Sequence, residues 1–284
     1  MLTVLDVLNK AIEFLNSKGI ESARLNAELL LANILNCKRL DLYLMYDKPL
    51  KQDELDLFRE YLKRRSTFEP FQYIIGKVDF YGLKLKVSKD VLIPRPETEI
   101  LVETIINSCN KRKELNILDI GSGNGNISIA LAVNLNNSKV TGIDISEEAI
   151  ELAQENAQRH NCSGRVNFIK DDIFNVRDNK YSEFDIIVSN PPYVSEKDYT
   201  NVQLEIKNYE PDFAVTDFAD GYQFYVKIIY LAQHILKPHG RLFFEIAQGQ
   251  SEKVKELLKQ SNFQNISIIK DYREIDRVIS GEKI

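Results

Sequence analysis

Apolar strands alternate with helical patterns along the second half of this 284-residue sequence. Six segments from residue 116 onward read as strands: NILDI, KVTGID, VNFI, FDIIVS, RLFFEI and NISII. Apolar residues at helical spacing separate several of them, as in residues 146–159 and 223–236. Continuous apolar strands that alternate with helices are typical of a parallel sheet covered on both faces. The sequence therefore predicts an α/β domain.

The first third of the chain reads as helices instead. Thr3 can cap a first helix, and Gly19 suits its carboxyl end. Further stretches with helical periodicity cover residues 23–35 and 52–63. The basic cluster at residues 63–65 is interpreted as a solvated helix end, where the helix dipole favours positive charge.

Between residues 74 and 91 the apolar period changes to two, which predicts a hairpin with Gly82 in or next to its turn. We therefore predict a helical domain at residues 1–73, a β-hairpin linker at 74–91 and the α/β domain at 92–284.

Composition excludes several classes of function. Lys and Arg (37) are outnumbered by Asp and Glu (42), so the net charge is −5, which argues against a dedicated nucleic-acid binder. The three cysteines are far apart, and the three histidines show no metal-binding spacing, so we expect neither a disulfide framework nor a metal site. The apolar runs are too short for a membrane span, and we expect a cytoplasmic protein.

Three closely spaced glycines follow the first α/β strand, in the run Gly121-Ser122-Gly123-Asn124-Gly125. Glycines between a strand and a helix let backbone N–H groups approach a ligand. Dinucleotide loops prefer G-x-G-x-x-G, but here the sixth position is Asn126. The form G-x-G-x-G is typical of S-adenosylmethionine-dependent methyltransferases. A tight structural turn is the alternative.

A carboxylate follows the second strand, at Asp144. An acid at this place can accept both hydroxyls of a ribose, although a helix N-cap or a surface acid would look the same in sequence. Asp172 follows the next strand and is expected near an adenine edge, with Ile173 or Phe174 packed on the ring.

The fourth strand of this series ends at the motif Asn190-Pro191-Pro192-Tyr193. Two prolines remove two N–H donors, so the carbonyls of Asn190 and Pro191 are not drawn into a continuing ladder. The Asn190 side-chain oxygen and the Pro191 carbonyl can then accept both hydrogens of a planar NH2 group, and Tyr193 can cover its face. We predict Asn190, Pro191 and Tyr193 as catalytic, Pro192 as substrate-binding, and a cofactor contact from Asn190.

This constellation resembles the amino-group methyltransferases that carry an (Asn/Asp/Ser)-Pro-Pro-(Tyr/Phe/Trp) motif. It is most similar to the release-factor glutamine N5-methyltransferases of the PrmC/HemK family. The likeness covers essentially the whole chain, in RRSTFEPFQYIIG, FYGLKLKV, VLIPRPETE, ILDIGSGNG, NPPYV, YEP, DGYQFY and FFEIAQGQ. Two positions depart from the family pattern: Ala247 stands where relatives usually carry Gly, and Ile173 where some carry an aromatic residue.

The resemblance implies a Rossmann-like methyltransferase sheet with a small N-terminal helical domain. It implies methyl transfer from S-adenosylmethionine to the glutamine amide nitrogen in the Gly-Gly-Gln loop of class I peptide chain release factors. The five residues from Gly121 to Gly125 with Asp144, Asp172, Ile173 and Asn190 would hold the cofactor. Arg95 and Glu97 would line the substrate pocket, and the helical domain would bind the release factor. Neither stable nucleic-acid binding nor membrane association is expected.

Three alternatives remain at this stage. An enzyme that methylates adenine N6 would need the same clamp, but the chain lacks a sustained basic stripe. A cofactor-binding protein without catalysis would not need an intact Asn-Pro-Pro-Tyr motif. A hydride-transferring oxidoreductase is disfavoured by the glycine spacing.

Overall fold

The computed structural model describes residues 2–109, 114–176, 181 and 183–284. They form two compact units, one of Met1–Lys77 with Gln203–Tyr209, the other of Val78–Val202 with Glu210–Ile284. Within the described ranges, no helix combines the length and apolar character needed to cross a membrane.

The secondary structure follows the predicted order of helices, hairpin and alternating strands. The helices are α1 (Val4–Ser17), α2 (Ala23–Ile34), α3 (Gln52–Arg65), α4 (Phe71–Ile75), α5 (Pro96–Ser108), α6 (Asn126–Asn134), α7 (Glu147–Arg159), α8 (Glu196–Tyr199), α9 (Leu204–Tyr209), α10 (Gln223–Ile235) and α11 (Ser251–Gln260), with 3₁₀ turns at Arg39–Leu44 and Asp212–Ala214. The strands are β1 (Lys77–Phe80), β2 (Leu83–Lys86), β3 (Leu115–Ile120), β4 (Ser138–Asp144), β5 (Val166–Lys170), β6 (Phe184–Ser189), β7 (Leu236–Glu245), β8 (Phe263–Lys270) and β9 (Asp276–Lys283).

The first unit is a small helical bundle. Thr3 caps α1 through a reciprocal pair of hydrogen bonds with Asp6, and Gly19 follows the helix end at φ +74°. Both predicted helix boundaries are therefore confirmed. Apolar faces of the helices bury Leu15, Leu30 and Phe58 in one core.

Arg65 at the end of α3 corrects the interpretation of the basic cluster. The side chain is only 4% exposed. It donates to Asn26 Oδ1 at 2.7 Å and to the Glu69 carbonyl at 3.0 Å, and it forms an ion pair with Glu205 on α9. A buried guanidinium needs such partners because an unpaired one is costly. At Arg65 the prediction of a solvated helix end was wrong.

The compact units differ from the predicted domain ranges in two places. Helix α4 runs through residue 75 and buries Ile74 in the helical core, so the helical unit extends past the predicted end at residue 73. The segment Gln203–Tyr209 interrupts the predicted 92–284 range and belongs to the helical unit. Residues of this segment contact distant parts of the chain, as Glu205 does with Arg65, and no local sequence pattern reveals such contacts.

The second unit is built on a sheet of order β5-β4-β3-β6-β7-β9-β8 in the described residues. Strands β5, β4, β3, β6 and β7 are parallel, as predicted. Strand β9 was not predicted; it inserts antiparallel between β7 and β8, so the sheet is mixed. Its buried Ser280 and Gly281 break the continuous apolar pattern that identified the other strands.

Each face of the sheet carries its own apolar core. One core contains residues of α5, α6 and α7, together with Phe80 and Leu85 from the hairpin. The other contains residues of α10 and α11. The hairpin turns at Tyr81 and Gly82, both with positive φ, as its two-residue loop requires. This confirms the predicted position of Gly82.

Candidate active site

The glycine run connects β3 to α6 at the carboxyl edge of the sheet. A side-chain carbon added at Gly121 or Gly123 would meet no atom within 4 Å, so the loop backbone is open to a ligand on this side. Gly125 has the opposite surroundings. A carbon added there would lie 2.8 Å from the Phe168 ring and 3.2 Å from Ala153, and its φ is +83°.

Gly125→Ala is expected to lower the free energy of unfolding by about 2–4 kcal/mol, since positive φ and overpacking add together. Equilibrium urea denaturation followed by circular dichroism measures this. The matched control is Gly164→Ala, at a site without positive φ and with open space, where the change should stay within about 0.5 kcal/mol. Equal stability of both variants would contradict the packing role of Gly125.

Asp144 ends β4 beside this loop. Its Oδ2 accepts from the Gly123 N–H at 2.8 Å, and its Oδ1 accepts from the Ser146 N–H at 3.0 Å. Burial raises the pKa of Asp144, and these backbone donors oppose the shift. Ser146, not Asp144, caps α7, which removes the N-cap alternative. A carboxylate has further lone pairs, so Asp144 can hold the loop and accept from a ligand together.

A cavity of about 300 Å³ lies where β3, β4 and β6 end. Parallel strands end at the same edge, and open α/β sheets bind ligands at that edge. The cavity brings together many of the residues predicted from sequence. These are Gly121, Gly123, Asp144, Asp172, Ile173, Asn190, Pro191 and Pro192.

The other predicted cofactor residues lie outside the cavity lining. Ser122 is buried, and its N–H donates to the Ile143 carbonyl. The Asn124 amide donates to the Lys86 carbonyl at 3.1 Å, towards the hairpin. Ser122, Asn124 and Gly125 therefore contact the protein around the loop and not the cavity. A cofactor contact from their side chains stays a prediction.

In the part of the chain that the structure describes, the charged side chains that line the cavity are all acidic. Among the described residues, its lining contains five aspartates and no Lys, Arg or His: Asp90, Asp144, Asp171, Asp172 and Asp217. An acidic cavity favours a cationic ligand and disfavours the pyrophosphate of a dinucleotide.

Aromatic rings that sequence reasoning did not assign to the site form one wall of the cavity. Phe213 and Phe218 are 43% and 54% exposed, and Phe224 packs edge-on against Phe174 with centroids 5.0 Å apart. The sequence signal that could have identified them is three phenylalanines between residues 213 and 224 that follow neither helical nor strand spacing. Such a wall suits a planar aromatic group.

The Asn-Pro-Pro-Tyr motif follows β6 directly. Asn190 lines the cavity, and its amide nitrogen donates to Thr98 Oγ1 at 3.2 Å, so its Oδ1 is not used in that contact. Tyr193 lies outside the cavity lining, so its contact with a target amide stays a prediction. Its hydroxyl donates to Glu245 Oε1 at 3.3 Å, and burial raises its pKa. The Gln250 side-chain amide donates a hydrogen bond to the Tyr193 backbone carbonyl at 3.1 Å.

Arg95 immediately precedes α5, and Glu97 lies in its first turn. Both residues are outside the cavity lining. The Arg95 guanidinium forms an ion pair with the buried Glu210 at 2.5 Å, and Glu210 also accepts from the Ile93 N–H at 3.3 Å. This pair fixes the chain leading into α5. A substrate contact from Arg95 or Glu97 stays a prediction.

Two buried carboxyls near the site are strongly perturbed. Burial raises the pKa of Asp119 to about 7 and that of Glu245 to about 7. Asp119 accepts from the N–H and hydroxyl of Ser128. The Oδ1 of Asp119 and the Oε2 of Glu245 have no hydrogen-bond partner among the described residues.

These raised pKa values predict a pH-dependent stability. The folded chain binds the two protons more tightly than the unfolded chain, so the free energy of unfolding should rise as the pH falls from about 7 to about 4.5. Each group contributes up to about 1.4 kcal/mol per pH unit in this window. Urea denaturation at several pH values measures the slope, and Asp119→Asn should reduce it. An unchanged slope in that variant would refute the assignment to Asp119.

Fold and site together define a methyltransferase domain, and residues 111–279 match the family model described as "Methyltransferase domain". Residues 6–76 match the model "PrmC N-terminal domain". A methyltransferase structure from Pyrococcus furiosus shares the fold, with a TM-score of 0.52 at 23% identity over 71% of this chain and 89% of its own.

Two relatives are similar over nearly the whole chain. The release factor glutamine methyltransferase of Fusobacterium nucleatum is 44% identical over 98% of this chain and 78% of its own length. That of Chlorobaculum tepidum is 36% identical over 98% and 96%. The chain belongs to the release factor glutamine methyltransferase family, as the resemblance predicted.

Proposed function

We propose that this enzyme transfers the methyl group of S-adenosylmethionine to the side-chain amide nitrogen of a glutamine. We further propose that this glutamine lies in the Gly-Gly-Gln loop of class I release factors, which makes these factors its protein partner and the cytoplasm its location. The observation that carries the proposal is that Asn190 lines the cavity while its amide nitrogen is engaged by Thr98, which leaves its oxygen for a ligand.

The cavity fits the proposed cofactor by charge and shape. Its aspartates suit a sulfonium cation, and its aromatic wall suits an adenine ring. In this proposal Asp144 accepts from the ribose hydroxyls, which its position next to the open backbone at Gly121 and Gly123 supports. When bound, the cofactor supplies an electrophilic methyl group.

The residues of the clamp position the nucleophile. Asn190 Oδ1 and the Pro191 carbonyl accept the two hydrogens of the target NH2, and Tyr193 covers the amide plane. This turns the nitrogen lone pair towards the methyl carbon, and such alignment lowers the barrier by several kcal/mol. Held in this way, the target nitrogen would take the methyl group that the bound cofactor supplies, and one of its protons would pass to solvent.

Methyl-labelled S-adenosylmethionine tests the proposal directly. Purified protein is incubated with a release factor, with the same factor carrying alanine in place of the loop glutamine, and with duplex DNA. Label in the first sample alone is the expected result. Label in the alanine factor would refute the glutamine target, and label in DNA would favour methylation of adenine instead.

A further inference from the structure

A buried threonine and a buried glutamate each contact one residue of the clamp. Thr98 lies in the first turn of α5 and is 1% exposed, and Glu245 ends β7 and is 2% exposed. Glu245 Oε1 accepts from the Tyr193 hydroxyl at 3.3 Å. Thr98 Oγ1 accepts from the Asn190 amide nitrogen at 3.2 Å. Each of these two buried side chains is thus hydrogen-bonded to one residue of the clamp.

The direction of the Thr98–Asn190 hydrogen bond follows from the chemistry of the two groups. An amide nitrogen can only donate, so the Thr98 hydroxyl oxygen is the acceptor in this bond. The Asn190 oxygen must therefore face away from Thr98. If Thr98 donated to Asn190 instead, the amide would turn over and present hydrogens to the hydrogens of the target.

The unpartnered Glu245 Oε2 is a second observation about this carboxylate. A buried carboxylate oxygen without a partner among the described residues is unfavourable for folding. An apolar side chain would avoid that cost. The carboxylate at this position therefore lowers stability, and we attribute its presence to a role in the site.

We propose that Thr98 and Glu245 are positioning residues that fix the amide orientation of Asn190 and the ring of Tyr193 for the target amide. This inference rests on the proposed function. Neither residue needs to contact the substrate. Removing either should lower turnover and leave cofactor affinity nearly unchanged.

The test compares Thr98→Val, Thr98→Ser and Thr104→Val. Valine keeps the shape of threonine without the hydroxyl, and serine restores the hydroxyl. Thr104 is the matched control, because it lies on the same helix and donates to the Ile100 carbonyl of its own backbone. Thr98→Val should lower kcat by about 10-fold to 100-fold, the scale of a misplaced reacting group. Thr98→Ser should recover most of that loss, and Thr104→Val should match the wild type.

S-Adenosylmethionine affinity by calorimetry separates positioning from damage to the cofactor site, and should change less than about threefold in all three variants. Wild-type kcat in folded Thr98→Val would overturn the inference. A wild-type enzyme that fails to methylate release factor would instead overturn the proposed function, so the two failures are distinguishable.

Glu245→Gln provides an independent variant if Thr98→Val does not fold. The charged and titratable groups that act on Glu245 are Tyr193, Arg277 and Glu97. Wild-type kcat should rise as Glu245 loses its proton near pH 7, and Glu245→Gln should be slower and lack this rise. A Glu245→Gln profile that coincides with the wild type would refute the positioning role.

Discussion

Replacing Asn190 with alanine is expected to lower kcat by about 10²–10³ at saturating substrate, the scale seen when one oriented polar group is deleted from an active site. The side-chain oxygen is the proposed acceptor for the target NH2, while Gly123 and Asp144 line the cavity where we propose that the cofactor binds. S-Adenosylmethionine affinity should therefore stay within about tenfold, allowing for a cofactor contact from Asn190 itself. Steady-state methylation of release factor and calorimetry measure the two effects.

Asn134→Ala is the matched control for this variant. Asn134 is exposed on α6, and its amide donates to the Ala130 carbonyl of the same helix, so turnover should be unchanged. Near-normal turnover in a folded Asn190→Ala protein would refute the clamp. Complete loss of cofactor binding would assign Asn190 mainly to the cofactor site.

Asp144→Ala is expected to weaken S-adenosylmethionine binding by about 1.5–3 kcal/mol, the range for hydrogen bonds to a charged group. The change removes the proposed ribose acceptor. It also removes the acceptor for the Gly123 N–H at 2.8 Å, so the glycine loop loses its anchor. Calorimetry on the folded variant gives the affinity directly.

Asp90→Ala tests whether charge alone accounts for that loss. Asp90 lines the same cavity but precedes α5, and its carboxylate accepts from Ser88. Removing its charge should reduce affinity by less than about threefold, in keeping with weak interactions between partly solvated charges. Equal losses in both variants would argue against a specific role for Asp144.

The sequence could predict the parts of the site that are set by short chain segments. Gly121, Asp144 and Asn190 each follow an apolar strand, and parallel strands bring their carboxyl ends to one edge. Strand ends and glycine spacing are local signals, so the cavity could be expected from them. The roles of these residues towards cofactor and substrate stay predictions.

The remaining features depend on pairs that are distant along the chain. Thr98 meets Asn190, and Glu245 meets Tyr193, only when α5, β6 and β7 are packed together. Strand β9 has a mixed polar and apolar pattern. It forms nonetheless, because backbone hydrogen bonds to β7 and β8 stabilise it on both sides. Neither side-chain pairing nor ladder partners can be read from periodicity.

The placement of Gln203–Tyr209 bears on how this enzyme can be taken apart or recombined. The chain returns to the helical unit long after leaving it, and Arg65 pairs there with Glu205. A fragment that ends at residue 77 would leave the buried Arg65 guanidinium without its carboxylate partner. The remaining fragment would display helix α9 without its bundle. Grafting the helical unit onto another methyltransferase therefore requires two segments and three junctions, because a chimera should carry Gln203–Tyr209 from the same parent as α3.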